Sequence, residues 1–237
     1  MRLGRPQQVS AALRALAAEP ATAAETAAAA PVESRRAELA TDTSLVGIAP
    51  LPLDSVMSVS EEAPRASSGP DKGRLLSRLA SGFGGKAVEL GTAFGIGTSY
   101  LALGLARHGG GSVVSIDAVP SRIALAQETL RRITPAGVSV ELITGTFEEH
   151  LEVLTDARLV YIDGSHYLEP TRRYVAAALQ RVAPTALLVL DDIDGYSEEM
   201  DRAWRSFARS RRFSYTGRVG DLGVLGLGPV PTVLSRG

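Results

Sequence analysis

An α/β fold built on a largely parallel sheet is predicted by three features of this 237-residue chain. From Asp71 onward, short apolar stretches alternate with amphipathic ones, and five successive strand-helix units imply crossover helices that return the chain to start another parallel strand. The first strand, Ala87-Val-Glu-Leu-Gly91, runs into a turn spaced by Gly91, Gly95 and Gly97 that opens a helix. The second strand, Val113-Val-Ser-Ile-Asp117, ends in an acid. Strand, glycine turn, helix and a carboxylate closing the next strand form the layout by which a Rossmann-like, doubly wound sheet holds an adenosine.

Before that pattern begins, Met1–Ala40 reads as an alanine-rich, low-complexity arm, helical around Ser10–Ala18 and Pro31–Ala40, and residues 1–56 as an arm that is partly helical or disordered. Pro50, Pro52, Pro64 and Pro70 mark the following thirty residues as loops. Leu75, Leu76 and Leu79 then define a helix that Gly82, Gly84 and Gly85 end. Strands are predicted at 86–91, 112–117, 138–143, 158–163, 185–191, 212–218 and 222–228, and helices at 98–107, 120–133, 148–154, 170–181 and 197–210. The last two strands, joined across Gly220-Asp221 with no helix between them, read as an antiparallel pair at one edge. Trp204, at helical spacing from Met200 and Phe207, reads as core.

Bulk properties exclude several functions. A formal charge of −1 points to neither nucleic acid nor an anionic membrane. The absence of cysteine removes disulfides, thiolate zinc and cysteine catalysis. No stretch supplies the ~20 uninterrupted apolar residues of a membrane span, and the N-terminus lacks the apolar core of a secretory signal, so a cytoplasmic protein is expected.

The turn also selects among cofactors. A dinucleotide needs Gly-x-Gly-x-x-Gly to approach its pyrophosphate, and here Ala93 stands where the middle glycine would be. A phosphate loop needs Gly-Lys-Ser/Thr, whereas Gly85-Lys86 is followed by Ala87. A ligand with adenosine at one end and a carboxylate at the other needs free N–H groups at a helix start but less glycine, and S-adenosylmethionine has that shape.

Val88-Glu-Leu-Gly-Thr92 with Gly95, Ser115-Ile-Asp117, Thr144-Gly-Thr-Phe147, Val160-Tyr-Ile-Asp-Gly-Ser-His166 and Leu188-Val-Leu-Asp-Asp-Ile193 occur in the order and spacing of a known family. From about Met57 to the C-terminus the chain resembles the class I S-adenosylmethionine-dependent methyltransferases of the caffeoyl-CoA and catechol O-methyltransferase type. The resemblance implies a seven-stranded sheet of order 3-2-1-4-5-7-6 with the last strand antiparallel, over 57–237. It also implies that Ser55–Arg65, with Met57, resembles the family's lid. Cofactor contacts fall on Glu89, Gly91, Thr92, Ala93, Gly95, Gly97, Thr98, Asp117, Gly145, Thr146, Phe147 and Asp163. Asp117 is expected to accept from the ribose hydroxyls, or to cap the helix after it, or both. Glu89, inside its strand, orients the glycine loop. Gly97 stands where related enzymes often have a serine for the cofactor carboxylate, which passes that contact to Thr98 or to bare backbone.

Asp163 and the pair Asp191-Asp192 close the fourth and fifth strands. Neighbouring strands lie about 4.8 Å apart, so these carboxylates converge and demand a cation or a proton. Hard oxygen donors suit Mg²⁺, Mn²⁺ or Ca²⁺, and related enzymes hold a divalent metal here with two Asp and an Asn, the Asn position being Asp192 in this chain. The competing reading makes Asp192 a cap and leaves Asp163 to touch the cofactor's ammonium. His166, three residues after Asp163, stands where the family has a lysine base, and Lys72 and Lys86 lie far from the fourth strand in sequence. An imidazole can take a hydroxyl proton at neutral pH. The loop Asp194-Gly-Tyr-Ser197 is placed to meet an acceptor.

The sequence therefore predicts O-methylation of a small molecule with catalytic residues His166 and Asp163 and a metal on Asp163, Asp191 and Asp192. The arm is expected to cover the site or mediate dimer contacts. Two alternatives stay open: a metal-independent N- or O-methyltransferase, and a catalytically silent S-adenosylmethionine-binding protein.

Overall fold

The computed structural model describes residues 5–47 and 55–235. A two-residue strand β1 (Gln7–Gln8) leads into helices α1 (Ser10–Ala18) and α2 (Ala23–Leu39), an antiparallel pair β2 (Leu45–Gly47) and β3 (Val56–Ser58), and helix α3 (Val59–Ala66). The remainder alternates: α4 (Pro70–Phe83), β4 (Gly85–Leu90), α5 (Ile96–His108), β5 (Gly111–Asp117), α6 (Pro120–Ile133) and β6 (Val138–Thr144), then a 3₁₀ segment (Phe147–Leu154). After it come β7 (Leu159–Ile162), α7 (Leu168–Arg181), β8 (Leu187–Leu190), α8 (Glu198–Ala208), and the hairpin β9 (Tyr215–Val219) and β10 (Leu222–Gly226).

The main sheet has eight strands in the order β1-β9-β10-β8-β7-β4-β5-β6. Without β1 this is the expected order 3-2-1-4-5-7-6, with β10 antiparallel to both of its neighbours. The β9–β10 pair is not the edge, however. Gln7 and Gln8 pair in parallel with Tyr215 and Thr216, so the start of the chain adds the eighth strand.

Alternation along β4 shows how the sheet is covered. Ala87 faces a core made with Leu13 and Leu16 of α1, Leu76 and Leu79 of α4, and Leu101 and Leu105 of α5. Val88 and Leu90 face the opposite core, with Val160, Ile162, Tyr174, Val175 and Trp204. Trp204 is core, as its spacing predicts. A third cluster joins Val32 and Leu39 of α2, Val46, and Val59 and Ala63 of α3 to Phe94, Ile96 and Tyr100.

Two expectations are corrected here. The second helix begins at Ala23 rather than Pro31, because Thr22 and Glu25 form a reciprocal capping box and the alanines that follow favour helix, carrying it through Pro31. Pro64 is not in a loop: it lies inside α3, which Ser58 and Glu61 start and which the buried Glu62–Arg122 ion pair fastens to α6. The loop expected around Pro50 and Pro52 lies outside the described residues.

The arm is held by burial comparable to that of the core. Arg78 of α4, itself buried, donates to the carbonyls of Leu16, Glu19 and Pro20 and to Glu25, closing the α1–α2 connection. Leu13→Ala, at a site with no solvent exposure, is expected to cost about 2–5 kcal/mol in urea unfolding. Leu45→Ala, at 68% exposure, should stay within about 0.5 kcal/mol. Equal small losses would show that α1 is not part of the cooperative core.

Candidate active site

The site lies at the C-terminal ends of β4, β5, β7 and β8, where the loops leave the sheet. The turn after β4 holds its shape through close approaches. Gly91 has φ +117°, and a Cβ there would lie 2.2 Å from the Asp163 carbonyl oxygen. Its N–H and that of Thr92 donate to the Ile116 carbonyl of the next strand. Gly95, in the left-handed region, begins α5, whose first-turn N–H groups have no partner within the helix.

Beneath the turn, Glu89 is buried and accepts from the hydroxyls of Ser115 (2.5 Å) and Thr98. Its second oxygen, Oε1, has no partner, and a Cβ on Gly97 would lie 2.5 Å from it. A side chain at position 97 would therefore have to displace the Glu89 carboxylate. Because the Thr98 hydroxyl is committed to Glu89, α5 can offer a ligand carboxylate its backbone N–H groups there. Thr92 and Ser115 complete the cluster at 2.7 Å.

Asp117 accepts from the backbone N–H of Ala93 and of Val119, both at 2.9 Å. It thus ties the first turn to the start of α6, and burial raises its pKa despite those bonds and Arg122. The Asp117 carbonyl in turn accepts from Gly145 N–H at 3.0 Å, bringing the Gly145-Thr146-Phe147 turn alongside. Thr146 starts the 3₁₀ segment with Glu149, and the Phe147 ring packs on Gly164 and edge-on to Tyr174. The cofactor-contact residues named from sequence thus lie at the C-terminal ends of β4 and β5, in the turns that follow β4, β6 and β7, and at the start of α5.

The carboxylates are organised by residues that sequence reasoning missed. Asp191, nearly fully buried, accepts from Lys72 Nζ (2.6 Å), Tyr161 Oη (2.6 Å) and Asp192 N–H (2.8 Å). Lys72, in the first turn of α4, also donates to Asp221 at 3.0 Å, so its distance in sequence conceals proximity in space. Burial opposes its charge, but Asp191 and Asp221 hold its pKa above the ordinary value. Tyr161 Oη lies 2.9 Å from Asp163 Oδ2 and spans the gap between Asp163 and Asp191. Among the described residues, the three carboxylates that come within 4.8 Å of one another are Asp191, Asp192 and Asp221. Asp163 sits across the Tyr161 hydroxyl from them. Burial, then the Asp191 charge, pushes Asp163 well above the usual carboxylate range.

His166 Nε2 is 3.6 Å from Asp192 Oδ2 and 3.9 Å from Asp163 Oδ1, and its ring lies against Tyr196 with centroids 4.7 Å apart. Burial lowers its pKa, with Asp192 opposing, which favours the neutral imidazole. Ala93, Ser165 and Asp192 adopt positive φ without being glycine, one in each of the turns after β4, β7 and β8. Such conformations cost of order 1–3 kcal/mol each and gather where a site is held by its surroundings. Lys72 leaves one sequence trace: it precedes Gly73, whose lack of a side chain lets α4 close on Tyr100 of α5.

Fold and site together define a Rossmann-like α/β sheet with its candidate site at the strand ends. Residues 88–193 match the family model described as a methyltransferase domain. A protein of Mycobacterium tuberculosis H37Rv named probable O-methyltransferase is 32% identical over 124 residues, covering 51% of this chain and 54% of that protein. The chain spans about half the length of the curated relatives it matches. Among solved structures, an O-methyltransferase from Bacillus cereus in complex with S-adenosylhomocysteine superimposes with a TM-score of 0.59 at 20% identity, covering 92% of this chain and 97% of that one. The Podospora anserina methyltransferase PaMTH1, also bound to S-adenosylhomocysteine, gives 0.64 at 14% identity over 85% and 88%. The O-methyltransferase TomG of Streptomyces achromogenes, of tomaymycin synthesis, gives 0.57 at 22% over 70% and 83%. These likenesses establish the fold.

Glu89 supplies a test of the buried network. Burial pushes its carboxyl up from 4.5 to about 7, with Ser115 and Thr98 partly offsetting the shift. Between those values the unfolded chain has released the proton and the folded one retains it, so stability falls as pH rises. The ligand-free protein should lose roughly 3 kcal/mol across that window, and Glu89→Gln should flatten it. An unchanged slope in urea titrations of the variant would contradict this account.

Proposed function

We propose that this protein transfers the methyl group of S-adenosylmethionine to a hydroxyl oxygen of a small molecule. The carrying observation is the position of His166 Nε2, facing Asp163 and Asp192 at the strand ends that adjoin the glycine turn. The turn, the α5 N-terminus and Asp117 suit the cofactor's carboxylate and ribose. The unpartnered Glu89 Oε1 beneath the turn fits a positively charged ligand nearby.

In the reaction the acceptor oxygen attacks the sulfonium methyl, the carbon–sulfur bond breaks, and the acceptor proton passes to His166 Nε2. Neutral imidazole is the form that can accept it. Tyr161 and Lys72 hold Asp163 and Asp191 in place while this happens, and Tyr196 restrains the imidazole ring. Incubation with S-adenosylmethionine and a panel of phenols, catechols and hydroxylated natural products, followed by mass spectrometry for a methylated product, tests the reading. His166→Ala should lower kcat by about 10²–10⁴ with little change in cofactor affinity. A loss under about threefold would reduce His166 to a positioning role.

The residues fit a hard divalent ion in chemistry and in charge, since among the described residues Asp191 and Asp221 share the single ammonium of Lys72, with Asp192 and Asp163 alongside them. Asp191 and Asp192 would hold it, with Asp221 or Asp163 as the third carboxylate. When bound, such an ion would polarise the acceptor hydroxyl and favour its oxyanion. The Lys72 ammonium also supports a second reading, in which it is the cluster's working cation and no metal is needed. Chelator distinguishes them. EDTA should abolish turnover, Mg²⁺ or Mn²⁺ should restore it, and full activity in EDTA would favour the lysine.

A further inference from the structure

Beside the acid cluster lies a cleft of about 560 Å³ to which the N-terminal arm contributes a wall. Its lining includes Arg14 of α1, Asp194 and Gly195 after β8, and Arg218 and Asp221 at the β9–β10 hairpin. Two connections join it to the candidate methyl-transfer site. Asp221 accepts from the same Lys72 ammonium that holds Asp191, and the residue after Gly195 is Tyr196, whose ring lies on His166.

The arm is fixed where it meets the cleft. Strand β1 is paired to β9, and the Arg218 N–H donates to Ser10 Oγ at 3.0 Å. Gly217 lets the chains approach so closely that a Cβ there would lie 2.9 Å from the Ser10 nitrogen. Arg14, one turn after Ser10, therefore stands on the α1 surface that faces Arg218.

Charge decides what the cleft takes. Asp194 is paired with Arg218 at 3.2 Å, and Asp221 with Lys72 at 3.0 Å. Arg14 is exposed and has no carboxylate of its own among the described residues. The lining balances two guanidiniums against two carboxylates, and its unpaired group is the Arg14 guanidinium, which suits planar, bidentate capture of an oxyanion.

We infer that this cleft is the distal part of the acceptor site, and that Arg14 selects acceptors carrying a carboxylate or phosphate-type group on an arm away from the reacting hydroxyl. This rests on the methyl-transfer reading and extends it to the class of acceptor.

The test is calorimetry on the full chain loaded with S-adenosylhomocysteine, titrated with dihydrocaffeate, its methyl ester and the matching phosphonate. An anionic form should bind about tenfold more tightly than the ester, a gap of about 1.4 kcal/mol that shrinks with added salt. Whether carboxylate or phosphonate binds more tightly identifies the preferred anion. In Arg14→Gln the advantage should fall below about threefold, and Arg14→Lys should restore part of it. Equal affinity for acid and ester, an advantage that survives Arg14→Gln, or no binding of any of the three overturns the inference. Titration of each variant with S-adenosylhomocysteine itself reports separately on folding and cofactor binding. Failure of the wild-type protein to bind it would overturn the methyl-transfer reading and this inference with it.

Discussion

The carboxylate of Asp191 is the point on which the site depends. A buried charge without partners costs several kcal/mol, and Asp191 is made tolerable by three donors from three places in the chain: the ammonium of Lys72, the phenol of Tyr161 and the backbone of Asp192. Satisfying it docks the first turn of α4 against the end of β8, and sets the left-handed turn at Asp192 that faces a carboxylate toward His166. Through Lys72 the same interaction reaches Asp221 and so positions the β9–β10 hairpin. Position in the site and stability of the fold are not separable here.

The other half of the site is built on different physics. Around Glu89, Thr98, Ser115 and Thr92 the polar groups are buried and mostly satisfied by one another, and the glycines serve mainly to let backbone and carboxylate approach. That makes a rigid floor, with Asp117 as its outer tie. The half around the acid cluster is held by ion pairs with partly exposed members and by aromatic contacts such as His166 with Tyr196. Under the proposed methyl-transfer reading, adaptation to different acceptors belongs on that side, where Asp194 to Ser197 leaves the sheet without being pinned by the core.

The sheet was legible because its signals are local: Val88-Glu-Leu and Val160-Tyr-Ile are apolar runs bounded by glycine or acid, and Pro120 and Ser197 mark helix starts within two residues of those observed. Strand order came only from resemblance, since periodicity says nothing of neighbours. Candidate acids at strand ends could be named because a parallel sheet delivers them to one edge. Lys72, Tyr161 and Asp221 were not assigned to the site, and Lys72 was set aside as remote, because their contacts with Asp191 and with one another span 30 to 149 residues of sequence. In the arm the helix at Ser10–Ala18 was legible, but the strand before it was missed for a related reason. Gln7-Gln8 has no strand pattern of its own, and it becomes a strand because β9 offers it an unpaired edge.

That short strand has a further consequence. Without it, β9 would present a row of free amide and carbonyl groups along Tyr215-Thr216, the geometry that invites another chain to add itself. Two glutamines, held by α1 behind them, close that edge from within the same molecule. Trimming the first twenty residues would therefore do more than shorten the protein: it would expose a sticky sheet margin and the leucine-lined surface beneath α1, turning a self-capped sheet into a seed for self-association.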